Sequence, residues 1–369
     1  MNKLIVITSN IAPYRLKWCE ELSKHYEVTI VYTKDHDYER DDRWLQKSSK
    51  SCKIIKLKND KDLYDALCFD VIDVIKENKD SLIIFDGYGP KTNLLGLLYC
   101  KLTGRHSFTN VDGYALGEKE SKIRDIVKKN VISHLCDYIF CSSESTKKHL
   151  ISCGAKKDKV YVHNFSSITD ERILKKPLSY EDKISLREKL GIDTKGKIVL
   201  GVGAFIPRKR FEDLIEAVIN CKSECDLYLL GGKPTEEYLK MIGDRTNFHF
   251  IDFVLPNEVD QYYQMADLFV LSSQTDVWGL VLNEALAQGL PSISSDNCIA
   301  GKSLIDGNGV VYRTGDIKEL TDAIDYCLDD ERNKEMSIRS LEISHNFTIE
   351  NMVVLQKPYI DEYFSNRKI

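Results

Sequence analysis

"ADLFVLSSQTDVWGLVLNEALAQGLPSISSD", residues 266–296, sets two short apolar runs on either side of a helical pattern. ADLFVLS (266–272) and PSISSD (291–296) read as buried strands, since runs of this length flanked by polar, Gly and Pro residues suit a sheet covered on both faces. Between them Gln274–Val277 is a loop; Leu280, Val281 and Leu286 then supply the apolar positions of a helix that Gly289 and Pro291 terminate. Strand, helix and strand in succession make a βαβ unit, which implies a parallel sheet. The same stretch carries two acids, Asp276 and Glu284, eight positions apart. On a helix that spacing is about 12 Å of rise and about 80° of rotation, too far for the carboxylates to share a proton or a metal. They would hold different parts of one long ligand. Backbone N–H groups around Trp278–Val281 at the helix start, with Gly279 permitting close approach, suit a diphosphate between them.

The alternation extends along most of the chain. KLIVIT (3–8), YEVTIVY (26–32), CKIIKL (52–57), SLIIF (81–85), HSFTNV (106–111), DYIFCS (137–142) and KVYVHNF (159–165) read as strands, with helical stretches such as 14–25 and 62–78 between them. A polar connector over 164–195 follows, and the pattern restarts at KIVLGVG (197–203), DLYLLGG (226–232) and FHFIDFV (248–254). The fold class expected is α/β with two doubly wound, Rossmann-like domains, 1–165 and 166–345, facing across a cleft, and a helical segment 346–369 packing back on the first. Ligand sites in such sheets lie outside the carboxyl ends of the strands.

With 369 residues, 43% of them hydrophobic, the chain can bury the cores of two domains. Eleven cysteines without a C-x2-C pair argue against both a zinc site and a disulfide framework, and read as buried thiols of a reducing cytosol. The apolar run near the start, Leu4–Thr8, is too short for a signal sequence or a membrane span. Charge is uneven: residues 1–165 carry a net +5 and the remainder −10. The basic excess gathers at 47–61 and 119–129, where eleven Lys and Arg residues read equally as a solvated face or as a surface for anionic head groups. No aromatic residue interleaves those lysines, so nucleic acid is not an expected partner.

The second constellation is GVGAFIPRKRFEDLIEAV, 201–218. A strand ends at Gly203, a loop brings Arg208, Lys209 and Arg210, and an amphipathic helix begins at once. Three cations at a helix N-terminus oppose its dipole, which favours an anion bound there, with Lys209 as the compensating charge. In the first half, Asn10, Tyr14 and Arg15 follow the first strand, and Asp112 precedes Gly113 at the end of a later one. Asp112 reads either as a turn residue or as a group orienting a ligand hydroxyl. Glu118 and His163 read as surface and core-edge groups.

SNIAPYR, GVGAFIPRK, LYLLGGKP, the long 250–296 stretch and DGNGVVY, in this order, resemble the retaining glycosyltransferases of family 4, which have the GT-B fold. The resemblance implies transfer of a sugar, as a UDP-linked hexose or N-acetylhexosamine, to a hydroxyl of a glycan or lipid-diphosphate-linked glycan acceptor in polysaccharide assembly. It implies no metal cofactor, the nucleotide sugar being a co-substrate. Its acid-x7-acid motif falls on Asp276, for the donor sugar, and Glu284, for the ribose; its phosphate-binding Lys falls on Lys209. Gly203, Gly232, Gly279, Leu280 and Val281 go with the nucleotide, and Asn10, Tyr14 and Arg15 with the acceptor. The family's first acid is usually Glu; its usual Arg is replaced by Ala204, which makes Arg208 the candidate substitute, and the adjoining Gly is Arg210. A catalytically silent nucleotide-sugar-binding subunit is the alternative. A nicotinamide oxidoreductase is disfavoured because Ile206 stands where the third glycine of G-x-G-x-x-G belongs. The location expected is cytoplasmic, at the inner membrane face.

Overall fold

Burial along the strands explains why they lie inside parallel sheets. In β1 (Lys3–Thr8) every residue from Leu4 to Thr8 is buried, so helices must cover both faces. The computed structural model describes residues 1–36, 44–46, 48–59, 65–114 and 122–366. They form two compact units: one contains Met1–Gly113, continues to Ser167 and takes in the chain from Thr348, and the other contains Ile168–Phe347.

In the first unit β1 is joined by β2 (Glu27–Tyr32), β3 (Lys53–Lys56), β4 (Ser81–Asp86), β5 (Ser107–Val111), β6 (Tyr138–Cys141) and β7 (Val160–Val162), in the spatial order β3-β2-β1-β4-β5-β6-β7. All neighbours are parallel, with Lys3 opposite both Glu27 and Ser81. The winding reverses between β1 and β4. The helix Ile349–Asn366 belongs to this unit: Trp18 Nε1 donates to Gln356 Oε1 at 2.8 Å, and the Tyr26 hydroxyl donates to Asp361 at 2.7 Å.

The second unit contains β8 (Lys197–Val202), β9 (Cys225–Leu230), β10 (Phe248–Ile251), β11 (Leu268–Leu271), β12 (Ser292–Ser295) and β13 (Gly309–Tyr312), ordered β10-β9-β8-β11-β12-β13 and again all parallel. Here the winding reverses between β8 and β11. In open α/β sheets that reversal opens a crevice at the carboxyl ends of the two central strands.

Two sequence expectations need correction. Of the helix expected over 62–78, residues 62–64 lie outside the described residues, and over the rest the helix spans only Val71–Glu77. Ahead of it, Thr92 donates its hydroxyl to the Ala66 carbonyl at 2.7 Å and accepts from the Cys68 N–H at 3.0 Å, which holds 66–68 as a loop. The polar connector is also not all loop. It holds the helix Tyr180–Lys189, started by Ser179, whose hydroxyl accepts from Asp182 N–H. From that helix buried Arg187 donates to the carbonyls of Met265, Thr194 and Gly196 and, at 2.9 Å, to Asp267. Asp267 also accepts from Ile198 N–H and Lys183. One carboxylate thus ties the connector to the starts of β8 and β11.

All eleven cysteines are free; nine are buried, and Cys136 and Cys221 are partly exposed. Among the described residues no helix is long and apolar enough to cross a membrane. Removing one partner of a buried ion pair leaves the other uncompensated, at a cost of about 3 kcal/mol or more. Arg187→Met is therefore expected to lower the stability of the second unit by about that amount in urea unfolding, with Lys183 holding part of the Asp267 charge.

Candidate functional site

The two loops at the reversal of the second sheet carry the charged residues singled out in the sequence. After β8 the chain passes Gly203 and forms a short turn, Pro207–Lys209, before the helix Phe211–Asn220. Gly203 has φ 155°, and a side chain there would bring its Cβ within 3.2 Å of Lys209 Cε. A side chain there would press on the lysine stem and would need a φ that L residues rarely adopt. Lys209 Nζ reaches Asp276 Oδ2 at 2.6 Å, Arg208 Nη1 reaches Oδ1 at 3.4 Å, and the Ser273 hydroxyl donates to Oδ2 at 3.3 Å. The Gln274 N–H donates to the Arg208 carbonyl at 2.8 Å, which fastens one loop to the other. Burial by itself would raise the Asp276 pKa; Lys209 and Arg208 outweigh it and hold the carboxyl below the usual range.

Arg210 departs from the expected trio of cations. It sits in the left-handed region, φ 49°, and clasps Asp213 in the first turn of its own helix at 2.5 and 2.7 Å, with Gln274 accepting at 3.0 Å. The dipole conflict is thereby relieved by an acid the sequence already contained. Gly232 follows β9 and lies against the Phe205 ring, which a Cβ would meet at 2.5 Å.

Gly279, φ 113°, precedes the helix Leu280–Ala287, and no side chain caps that start. A Cβ at Gly279 would come within 2.9 Å of Leu271, so the close turn needs glycine. Trp278 is buried and donates its indole N–H to Asn283 at 2.8 Å; it supports the turn from behind. Leu280 and Val281 are partly exposed. Glu284 is held separately from Asp276: the fully buried Tyr263 donates its hydroxyl to Oε2 at 2.9 Å. Burial and the Glu284 charge push the Tyr263 phenol well above its ordinary pKa. Arg172, clasped by Asp260 at 3.0 and 2.5 Å, feels the Glu284 charge as well. Tyr263 and Arg172 were not singled out in the sequence, where they pass as an apolar helix position and a connector cation.

The first unit gathers its own cluster at the reversal between β1 and β4. Arg15, expected to meet a ligand directly, is instead buried, with 1% of its side chain exposed, and pairs with Asp86 at 2.5 Å and Asp112 at 3.0 Å. Its helix starts at Pro13, and the aromatic rings of Tyr14, Trp18 and Phe165 surround the guanidinium at 5.3 to 5.8 Å. Asp86, which also accepts from the Thr8 hydroxyl at 2.8 Å, escaped the sequence reading because the strand was ended one residue too early. Asp112 keeps 26% of its side chain exposed, and burial of the carboxyl pushes it up to about 6 against the pull of Arg15. The carbonyl of Asn10 accepts from Thr8, and Tyr14 packs against Trp44 and Phe165. His163 is wholly buried rather than at a core edge; burial lowers it to about 3, and its Nδ1 accepts from Gln356 at 2.6 Å. Glu118 lies outside the described residues. Among the described residues, no three His, Cys, Asp or Glu side chains converge as a metal site.

Residues 182–341 match the family described as glycosyl transferases group 1. That stretch is similar to the glycosyl transferases of group 1. It contains Lys209, Asp276 and Glu284. Over 206 residues the chain is 31% identical to the N-acetyl-alpha-D-glucosaminyl L-malate synthase of Bacillus anthracis, a match spanning 53% of this chain and 52% of that protein. It is 26% identical over 243 residues to the alpha-galactosylglucosyldiacylglycerol synthase of Streptococcus pneumoniae, 63% of each. The chain thus spans about half the length of the first of these relatives. Sucrose-phosphate synthase from Thermosynechococcus elongatus superposes with a TM-score of 0.79 over 99% of this chain and 100% of that one, at 17% identity. HepE of Anabaena, solved with UDP-glucose, gives 0.74 over 98% and 99%, at 16% identity. Both likenesses establish the fold, GT-B with two Rossmann-like units.

An acid whose folded pKa is raised binds its proton more tightly in the folded state, so that stabilising contribution is full below the unfolded value and lost as pH rises towards about 6. Carboxyl-carbon NMR is expected to show a titration near pH 6 that Asp112→Asn removes. Relative to that variant, the wild type loses stability between about pH 4 and pH 6.

Proposed function

We propose that this chain is a retaining glycosyltransferase that moves a hexose or N-acetylhexosamine from a UDP-linked donor to a hydroxyl of a glycan or lipid-linked glycan acceptor. The observation that carries the reading is the convergence of Lys209 and Arg208 on Asp276 at the strand reversal of the group 1 domain. Cationic side chains beside a helix start whose N-cap is a glycine are suited to the charge that develops on a leaving diphosphate, and preorganised charges of this kind supply a large share of catalysis. Asp276 orients both cations and keeps lone pairs for donor hydroxyls. Glu284, steadied by Tyr263, takes the ribose. The structural neighbours solved with UDP and with UDP-glucose favour a uridine donor.

Retention follows if the acceptor hydroxyl attacks from the side on which the diphosphate leaves, that phosphate receiving the proton. Asp112 orients the hydroxyl. Because the compensating charges are side chains and helix amides, transfer proceeds without a metal. Thermal shift against UDP, UDP-glucose and UDP-N-acetylglucosamine tests the donor site directly, since saturation at 100 times Kd adds about 2.7 kcal/mol of stability. Lys209→Ala is expected to lower kcat by roughly 100-fold or more, and Tyr263→Phe to raise the donor KM, in assays indifferent to excess chelator. Wild-type turnover in Lys209→Ala would overturn the assignment, and binding without transfer or donor hydrolysis would favour the silent subunit.

The setting we propose is the cytoplasmic face of a membrane. The relatives named as diacylglycerol synthases and the basic runs 47–61 and 119–129 support it, although parts of both runs lie outside the described residues. Attraction to anionic lipid is worth about 1 kcal/mol for each Lys or Arg held near the surface. Co-sedimentation with phosphatidylserine-containing vesicles is expected at low salt and should fade as salt rises; equal binding to neutral vesicles would contradict it.

A further inference from the structure

Cys221 and Cys225 stand apart from the other thiols. Cys221 ends the helix Phe211–Asn220 as its cap, and Cys225 opens β9. Their sulfurs lie 3.8 Å apart, within reach of a bond about 2.05 Å long after a small side-chain rotation. The intervening loop is held by Asp325, which accepts from the N–H of Lys222 at 3.0 Å and of Ser223 at 2.8 Å. That fixed loop keeps the two sulfurs facing each other. Cys221 is partly exposed while Cys225 is buried, so one sulfur meets solvent and the other waits behind it.

From this geometry we infer that Cys221 and Cys225 form a redox-active dithiol, which closes to an intramolecular disulfide when it meets a low-molecular-weight disulfide such as oxidised glutathione. The Cys221 thiolate attacks one sulfur of the small disulfide, breaking its S–S bond and releasing one thiolate. Cys225 then gives its proton to a departing thiolate and attacks the Cys221 sulfur of the mixed disulfide, releasing the second small thiol. Two protein thiols are oxidised and one small disulfide is reduced to two thiols.

The local chemistry sorts the attacking from the resolving sulfur. The hydrogen bond from Cys225 lowers the Cys221 pKa, although burial opposes it, whereas Cys19, Cys52, Cys68, Cys100, Cys136, Cys141, Cys298 and Cys327 are all raised, burial being the leading cause. The charge of Asp325 also works against the thiolate, while backbone hydrogen bonds at Cys221 and Ser223 favour it. The nucleophile is therefore mildly rather than strongly activated. Since reaction requires both thiolate and access, Cys221 is the residue to react first.

Lys222 lies between the two cysteines, and trypsin cutting there places them in separate peptides, FEDLIEAVINCK (211–222) and the one that begins at Ser223. The folded full-length protein is incubated with oxidised glutathione, its free thiols are blocked with iodoacetamide, and tryptic peptides are weighed before and after reduction. The expected result is a cross-linked pair of these peptides that appears ahead of oxidation at any other cysteine and disappears with dithiothreitol. In Cys225→Ser the reaction should stop at a glutathione adduct on Cys221. A stable adduct on wild-type Cys221 with no cross-link, or equal oxidation of the remaining cysteines, would overturn the inference, and the wild-type map decides it even if the variant fails to fold.

Discussion

The ion pair between Lys209 and Asp276 is the constraint around which the ligand end of the second unit is arranged. It joins the loop after β8 to the loop after β11, the two central strands where the winding reverses. Each partner would be costly to bury alone, and together with Arg208 and Ser273 they fix two otherwise independent loops in one geometry. Gly203 on one side and Gly279 on the other supply the space this needs.

The two units solve the same topological problem with opposite charge. At the reversal of the second sheet two cations surround one carboxylate. At the reversal of the first, two carboxylates, Asp86 and Asp112, share one buried arginine. The first arrangement sets two cationic groups on one carboxylate, and the second sets two carboxylates on one guanidinium, while the scaffold repeats.

How much of this was legible in the sequence depended on the range of the interaction involved. Apolar runs of four to seven residues located most strands within one or two positions, because burial on both faces is a property of the run itself. β13 was missed as a strand: four residues, GVVY, offer little pattern, and its pairing with β12 is a long-range fact. Lys209, Asp276 and Glu284 stood out because they sit in motifs of fixed spacing. Asp86, Tyr263 and Arg172 were not, since each acts by meeting a residue from another part of the chain. Arg15 was found but misplaced: a cation after a strand looks like a ligand-facing group until the acids that bury it are seen.

The helix Ile349–Asn366 gives the first unit an unusual history. Gln356 bridges the Trp18 indole and His163 inside a core whose other members lie in the first 167 residues. During synthesis the ribosome must deliver the whole second unit before that core can be closed. Domains made first usually fold first, yet here the half begun earliest is completed last. Its unfinished core stays open for the time taken to translate some 180 intervening residues, a span that runs from Ile168 to Phe347, and the growing chain must hold that apolar surface apart from the second unit while the latter folds.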